Sequence, residues 1–343
     1  MKRQRISHFL TPLAIIGLVL SVACVGPPPP EEATPPPPPP TEKELPPEPE
    51  PEPEEAPSFP LTIVDDLGRT VEIEKLPQRI ISLAPSNTEI LFALGLEDKI
   101  VGTTDYCDYP EAAKSMTRVA GYTAPDMEKL VSLEPDLVIA EAIHEKTTLP
   151  ALEELELTVI VMSATSVETV LNDITLVGRI NGKSKAAAQL VSDLTQRIEA
   201  VTSKTASLTP EERPGVLYVC WHKPIWTMGS ETFIDDLISK AGGVNIFADD
   251  FEKSRVASLE SIVAENPQVV IVSGMGTTGD LVYKNIKKET RLRGVEAIVS
   301  SHVYKISDAD LIERPGPRIV EGLEEVAKLI HPEIFGALET QAE

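Results

Sequence analysis

The chain has 343 residues and a formal net charge of −23, with 31 prolines, three cysteines and 4% aromatic residues. That length suits two domains or one large two-lobed body, and so acidic a balance excludes a nucleic-acid surface, which needs clustered Lys and Arg. Three cysteines exclude a disulfide-dense scaffold and provide no Cys-x-x-Cys pair for zinc or redox chemistry.

Lys2, Arg3 and Arg5 precede an apolar run from Leu13 to Ala23, which makes residues 1–23 a signal peptide. The run closes on Leu20-Ser-Val-Ala-Cys24, which resembles a bacterial lipobox with Ser21 where the pattern prefers Leu. That resemblance implies acylation of Cys24. The alternative is cleavage after a small residue, with Cys24 left as a free thiol. Between Pro27 and Pro60 stand 17 prolines and nine glutamates, so this stretch has nothing to bury and extends as a semi-rigid stalk. Residues 24–60 are therefore expected to tether a folded body to the outer face of a membrane.

Leu61–Ile73 alternates apolar and polar residues around Asp66-Leu67-Gly68 and predicts a hairpin. Arg79–Leu83 follows as a strand, and Ser86-Asn-Thr-Glu89 is a capping box opening a helix that stops near Gly95. Further strands are expected at Ile100–Thr103, Leu137–Ala140, Val159–Met162, Gly215–Cys220, Val269–Ser273 and Val303–Ile306. Strands alternating with helical patterns predict an α/β fold with parallel sheets covered by helices.

Two stretches repeat at an offset of 132 residues: Glu128–Ile139 and Glu260–Ile271, each a helix end, a proline and a buried strand. Between them Val167–Ile180 and Ser184–Ser203 are helical, and Ala187, Leu190, Leu194, Ile198 and Val201 form one apolar stripe. The expected plan is two similar lobes, 61–182 and 208–335, joined by a long rigid helix within 183–207, with a ligand cleft between them and a tail over 336–343.

Arg79–Gly95, Asp108-Tyr-Pro110 and Glu134–Ile139 together resemble the helical-backbone class of ABC-importer substrate-binding proteins, and within it the cobalamin-binding members. The resemblance implies a monomer that captures a corrinoid, a siderophore or haem and hands it to a permease and its ATPase. It places Tyr106, Tyr122 and Trp226 on the edges of the cleft, with Trp221 beside them, and Asp310 and Arg314 against the ligand's side chains. It also implies that Glu128 and Glu260, at the tips of the two lobes, pair with permease arginines.

The residues themselves agree with such a ligand, since a flat macrocycle needs flat apolar walls and a few hydrogen-bonding groups. His144 and His222 follow strand ends and are candidates for an axial ligand to a chelated metal; no His/Cys/Asp/Glu cluster suits a bare ion, and no resident cofactor is expected. No Gly-rich phosphate loop, G-x-S-x-G or H-E-x-x-H supports catalysis. An exported hydrolase and a structural surface protein are the weaker alternatives.

Overall fold

The computed structural model describes residues 57–119, 121–274 and 278–337. The signal peptide, Cys24 and the stalk up to residue 56 lie outside the described residues. The hairpin forms as expected: β1 (Leu61–Val64) runs antiparallel to β2 (Thr70–Ile73). Its turn is closed by the Asp65 carboxylate, which accepts hydrogen bonds from the backbone N–H of Leu67 and Arg69 and from the Arg69 guanidinium.

The first lobe then alternates β3 (Ile80–Ser82), α1 (Pro85–Ala93), β4 (Ile100–Thr103), α2 (Met127–Ser132), β5 (Leu137–Ala140), α3 (Thr148–Glu154) and β6 (Val159–Val161). Its parallel sheet has the order β4-β3-β5-β6. Strands β3, β5 and β6 are buried throughout, the state expected of parallel strands covered on both faces. The predicted capping box at Ser86 does not form. Pro85 occupies the first helical position, where its missing N–H costs nothing, so Ser86–Glu89 already lie inside α1 and are buried. Their polar atoms turn elsewhere: the Asn87 amide donates to the carbonyls of Ile139 and Ala140, and Glu89 crosses to the second lobe.

Helices α4 (Val167–Ile180) and α5 (Ser184–Thr205) form a close pair. A Cβ on Gly178 would stand 2.3 Å from that of Ala187, so glycine is required where the two helices touch. The 22 residues of α5 cover about 33 Å. One end lies near the first hairpin, where Gly182 faces Leu76. At the other, the Thr205 hydroxyl donates to the Lys240 carbonyl at 2.9 Å.

The second lobe contains β7 (Gly215–Val219), β8 (Ile225–Met228), α6 (Phe233–Lys240), β9 (Val244–Asn245), β10 (Ser254–Ala257), α7 (Leu259–Glu265) and β11 (Val269–Val272). After these come α8 (Gly279–Lys288), α9 (Glu296–Val299), β12 (Val303–Lys305), α10 (Asp310–Glu313), α11 (Ile319–Ile330) and α12 (Pro332–Phe335). The parallel sheet has the order β12-β11-β7-β9, while β8 and β10 form a separate antiparallel pair. No buried alternation marks β10, where three of four residues are exposed.

The 132-residue repeat is visible in backbone detail. Asp126 and Ser258 each cap a helix by accepting from the N–H three residues on, and Glu134 and Asn266 each take a φ of +45° before the matching strands β5 and β11. The two lobes share one apolar core. Ile80, Leu137 and Ile160 belong to the same cluster as Ile174, Ile198, Val216, Ile271 and Leu323.

Candidate functional site: an aromatic cleft with a charged floor

Tyr106 stands exposed in the loop after β4, and the Tyr122 ring meets it edge-on, with centroids 6.0 Å apart. The Tyr122 hydroxyl donates to Glu141 Oε2 at 2.5 Å. Burial, then the charge of Glu141, pushes the Tyr122 phenol well above its ordinary range. This edge of the first lobe is thus two rings held in place by a carboxylate.

His144 is not available as a metal ligand. It is fully buried, its Nε2 lies 2.7 Å from the Tyr122 carbonyl, and its Nδ1 is 3.2 Å from the Glu141 N–H. Backbone groups engage both ring nitrogens, so this histidine fixes the loop that presents Tyr122. His222 lies in a recess of about 280 Å³ with Lys223, Pro224, Leu259, Glu289 and Arg291, and no residue of the charged floor described below lines it. Burial, then the neighbouring Lys223, lowers its pKa.

On the second lobe β8 alternates cleanly: Ile225 and Thr227 are buried while Trp226 is exposed. The Trp226 N–H donates to the Trp221 carbonyl at 2.9 Å, and the Cys220 N–H donates to the Trp226 carbonyl at 3.1 Å. The two tryptophans therefore flank one tight backbone turn, each a little over one-third exposed. Exposed Trp at this density marks a recognition surface more often than a core defect.

A network of charges crosses the lobe boundary. Arg318, just before α11, donates to both oxygens of Glu89 in α1, at 2.7 and 2.9 Å, and its guanidinium lies 3.9 Å from the Tyr109 ring centre. Arg314 ends α10 and reaches Asp108 of the first lobe at 2.6 Å and Asp310 of its own at 2.9 Å. Arg314 is therefore already paired on both sides. Burial opposes the charge of Asp108, yet the hydrogen bond and charge of Arg314 outweigh it and hold this carboxyl below its usual range. Burial raises the Asp310 carboxyl despite the neighbouring arginine.

The end of the second sheet carries a polar cluster around Glu313, next to Arg314 in the chain. Ser273 and Tyr218 both donate to Glu313 Oε1, at 2.5 and 3.0 Å. Burial raises the Glu313 carboxyl in spite of these bonds. Burial, then the charge of Glu313, pushes the Cys220 thiol up to about 11, so it stays a thiol. Arg314 thus lies close enough to Tyr122, and Glu313 close enough to Cys220, to act on them electrostatically. The location, at the carboxyl ends of parallel strands, is where open α/β sheets place ligands.

Sequence reasoning missed Glu89, Tyr109, Arg318 and the Tyr218–Ser273–Glu313 cluster. Glu89 had been given a capping role, and Arg318 follows a loop with no motif. Glu128 and Glu260 occupy the second position of α2 and α7, both exposed.

The periplasmic binding protein family profile matches residues 80–309. An uncharacterized ABC transporter substrate-binding lipoprotein of Bacillus subtilis is 33% identical over 282 residues, 81% of this chain and 87% of that protein. The vitamin B12-binding protein of Vibrio cholerae is 30% identical over 250 residues, covering 73% of this chain and 87% of the relative. The crystal structure of the periplasmic vitamin B12 binding protein of Vibrio cholerae superposes with a TM-score of 0.65 at 29% identity, over 74% of this chain and 96% of that one.

Proposed function

The chain belongs to the periplasmic binding protein family, as a substrate-binding protein of an ABC importer, and we propose that its ligand is a corrinoid of the cobalamin type. The observation that supports this reading is a group of exposed or half-buried aromatic side chains on each lobe, Tyr106 against Tyr122 on one and Trp221 with Trp226 on the other. A corrin is a wide flat ring fringed with carboxamides; rings flank its faces, and groups such as Asp310 and Glu313 take its amides. Relatives named as binding vitamin B12 support the same choice.

The body then works as a capture module rather than a catalyst. It lies outside the cytoplasmic membrane, held by acyl chains on Cys24 through the Pro/Glu stalk, and it acts as a monomer. Glu128 and Glu260 dock it to the permease, whose ATPase drives release of the ligand inward. Their equivalent places in the two halves of the repeat support this assignment, since two symmetric carboxylates fix orientation even where a single exposed pair contributes little. Changing Cys24→Ala is expected to free the protein from the membrane fraction.

Titration with cyanocobalamin tests the ligand. Trp226→Ala should weaken binding more than tenfold, whereas Lys287→Ala, on an exposed helix face, should not. Tight binding of haem or a ferric siderophore with no corrinoid affinity would replace the ligand and keep the family.

A further inference from the structure

The charges at the lobe boundary do not cancel. Arg314 and Arg318 are the two cations of the bridge, and they face four carboxylates: Glu89 and Asp108 from the first lobe, Asp308 and Asp310 from the second. Their depths differ as well. The two arginine side chains are only 14% and 12% exposed, whereas Asp108 and Asp308 are each 49% exposed. Asp108 and Asp308 are thus the exposed charges of the bridge, while the two guanidiniums are largely buried and Glu89, at 2% exposure, is buried.

Nearby groups do not reverse this sign. Arg118 directs its Nη1 to the Thr103 hydroxyl and the carbonyls of Thr104 and Cys107, so it serves the loop before Asp108. Lys114 is paired with Glu111 at 2.7 Å. The Tyr106–Tyr122 edge adds a further carboxylate, Glu141.

We propose that this bridge is a charge filter, which admits ligands whose edge is neutral or cationic, such as a carboxamide-fringed metal chelate, and rejects those that turn carboxylates toward it. The inference rests on the preceding reading that a flat chelate sits between these aromatic edges. It adds the ligand's charge class. A carboxylate brought to the floor meets Asp108 and Asp308, and the guanidiniums of Arg314 and Arg318 are already engaged by carboxylates of the bridge. Like charges at close range in a partly desolvated cleft repel strongly enough to decide between otherwise similar rings. Arginine bridges of this kind would bind anions well only if their own carboxylates were removed.

The test uses two pairs of probes that share a ring and differ in edge charge: dicyanocobinamide against dicyanocobyrinic acid, and haem against its dimethyl ester. In each pair that binds, the carboxylate form should bind at least tenfold more weakly. Asp108→Asn combined with Asp308→Asn should narrow that gap several-fold, and these exposed positions keep the shape of the bridge. Equal affinity for the two members of a pair, or a gap unchanged in the double variant, overturns the filter and leaves the corrinoid reading standing. Preference for the haem ester with no corrinoid binding would overturn the ligand and uphold the filter. Failure of all four probes to bind would overturn both.

Discussion

Arg318 of the second lobe holds Glu89 of the first in a two-bonded grip, with N···O distances of 2.7 and 2.9 Å. The glutamate side chain is 2% exposed, so its polar atoms depend on that partner in place of water. Its position in the first helix after β3 makes it a direct tie between the two sheets' lobes.

Removing the cation should therefore cost much more than a surface ion pair. Arg318→Ala leaves the Glu89 charge buried beside Arg314 alone, 3.6 Å away, and should destabilise the protein by about 3 kcal/mol. Replacing both residues with apolar ones of similar volume should restore most of the loss. Urea unfolding of the two variants measures this, and equal stability of Arg318→Ala and the parent would deny the bridge any structural role.

Asp173 should make stability depend on pH in the alkaline direction. It is 3% exposed in α4. Burial, then the charge and hydrogen bond of Asp66, pushes its pKa from 3.8 up to about 8. A carboxyl whose folded pKa is raised stabilises the fold fully below its unfolded value, and that contribution declines from there until it is gone once pH has passed the folded value. Asp173→Asn, which keeps a donor for Asp66, should flatten the stability profile between about pH 4 and 8. Parallel profiles for the variant and parent would show that Asp173 does not titrate in that range.

Charge reversal at the lobe tips separates transport from capture. Glu260→Lys or Glu128→Lys should leave ligand affinity within about twofold of the parent while sharply reducing uptake and permease association, because each glutamate is exposed. A loss of affinity with docking intact would move these residues into the cleft.

Ligand binding should change the molecule's dimensions little. The 22-residue α5 contacts both lobes and is pinned to α4 at Gly178 and to α6 through Thr205. Scattering curves of free and loaded protein should nearly superpose. A contraction of several ångströms in radius of gyration would require a hinge that this pair of helices does not provide.

Much of this was legible in the residues. The short apolar runs gave the central strands within a residue or two, because buried parallel strands leave no polar position to blur them. The repeat was legible because Pro135 and Pro267 punctuate both copies. Ser86–Glu89 misled: a capping box and a helix that starts one residue earlier on proline look alike until burial decides between them. His144 looked like a candidate ligand because sequence cannot reveal that two backbone groups already claim its ring. The Glu89–Arg318 tie, 229 residues apart, has no local pattern at all. Contacts of that kind come from tertiary placement, which periodicity does not encode.

The apolar cluster that runs from Ile80 through Ile198 to Leu323 has a consequence for how the molecule is made. A polypeptide that emerges amino end first presents the first sheet long before α11, whose Ile319, Val320, Leu323 and Val326 complete that same interior. Until those residues arrive, the early half carries a broad greasy face with nothing to close it. Maturation must wait for α11, and a nascent chain halted short of Ile319 would be a substrate for holdases and proteases rather than a working molecule.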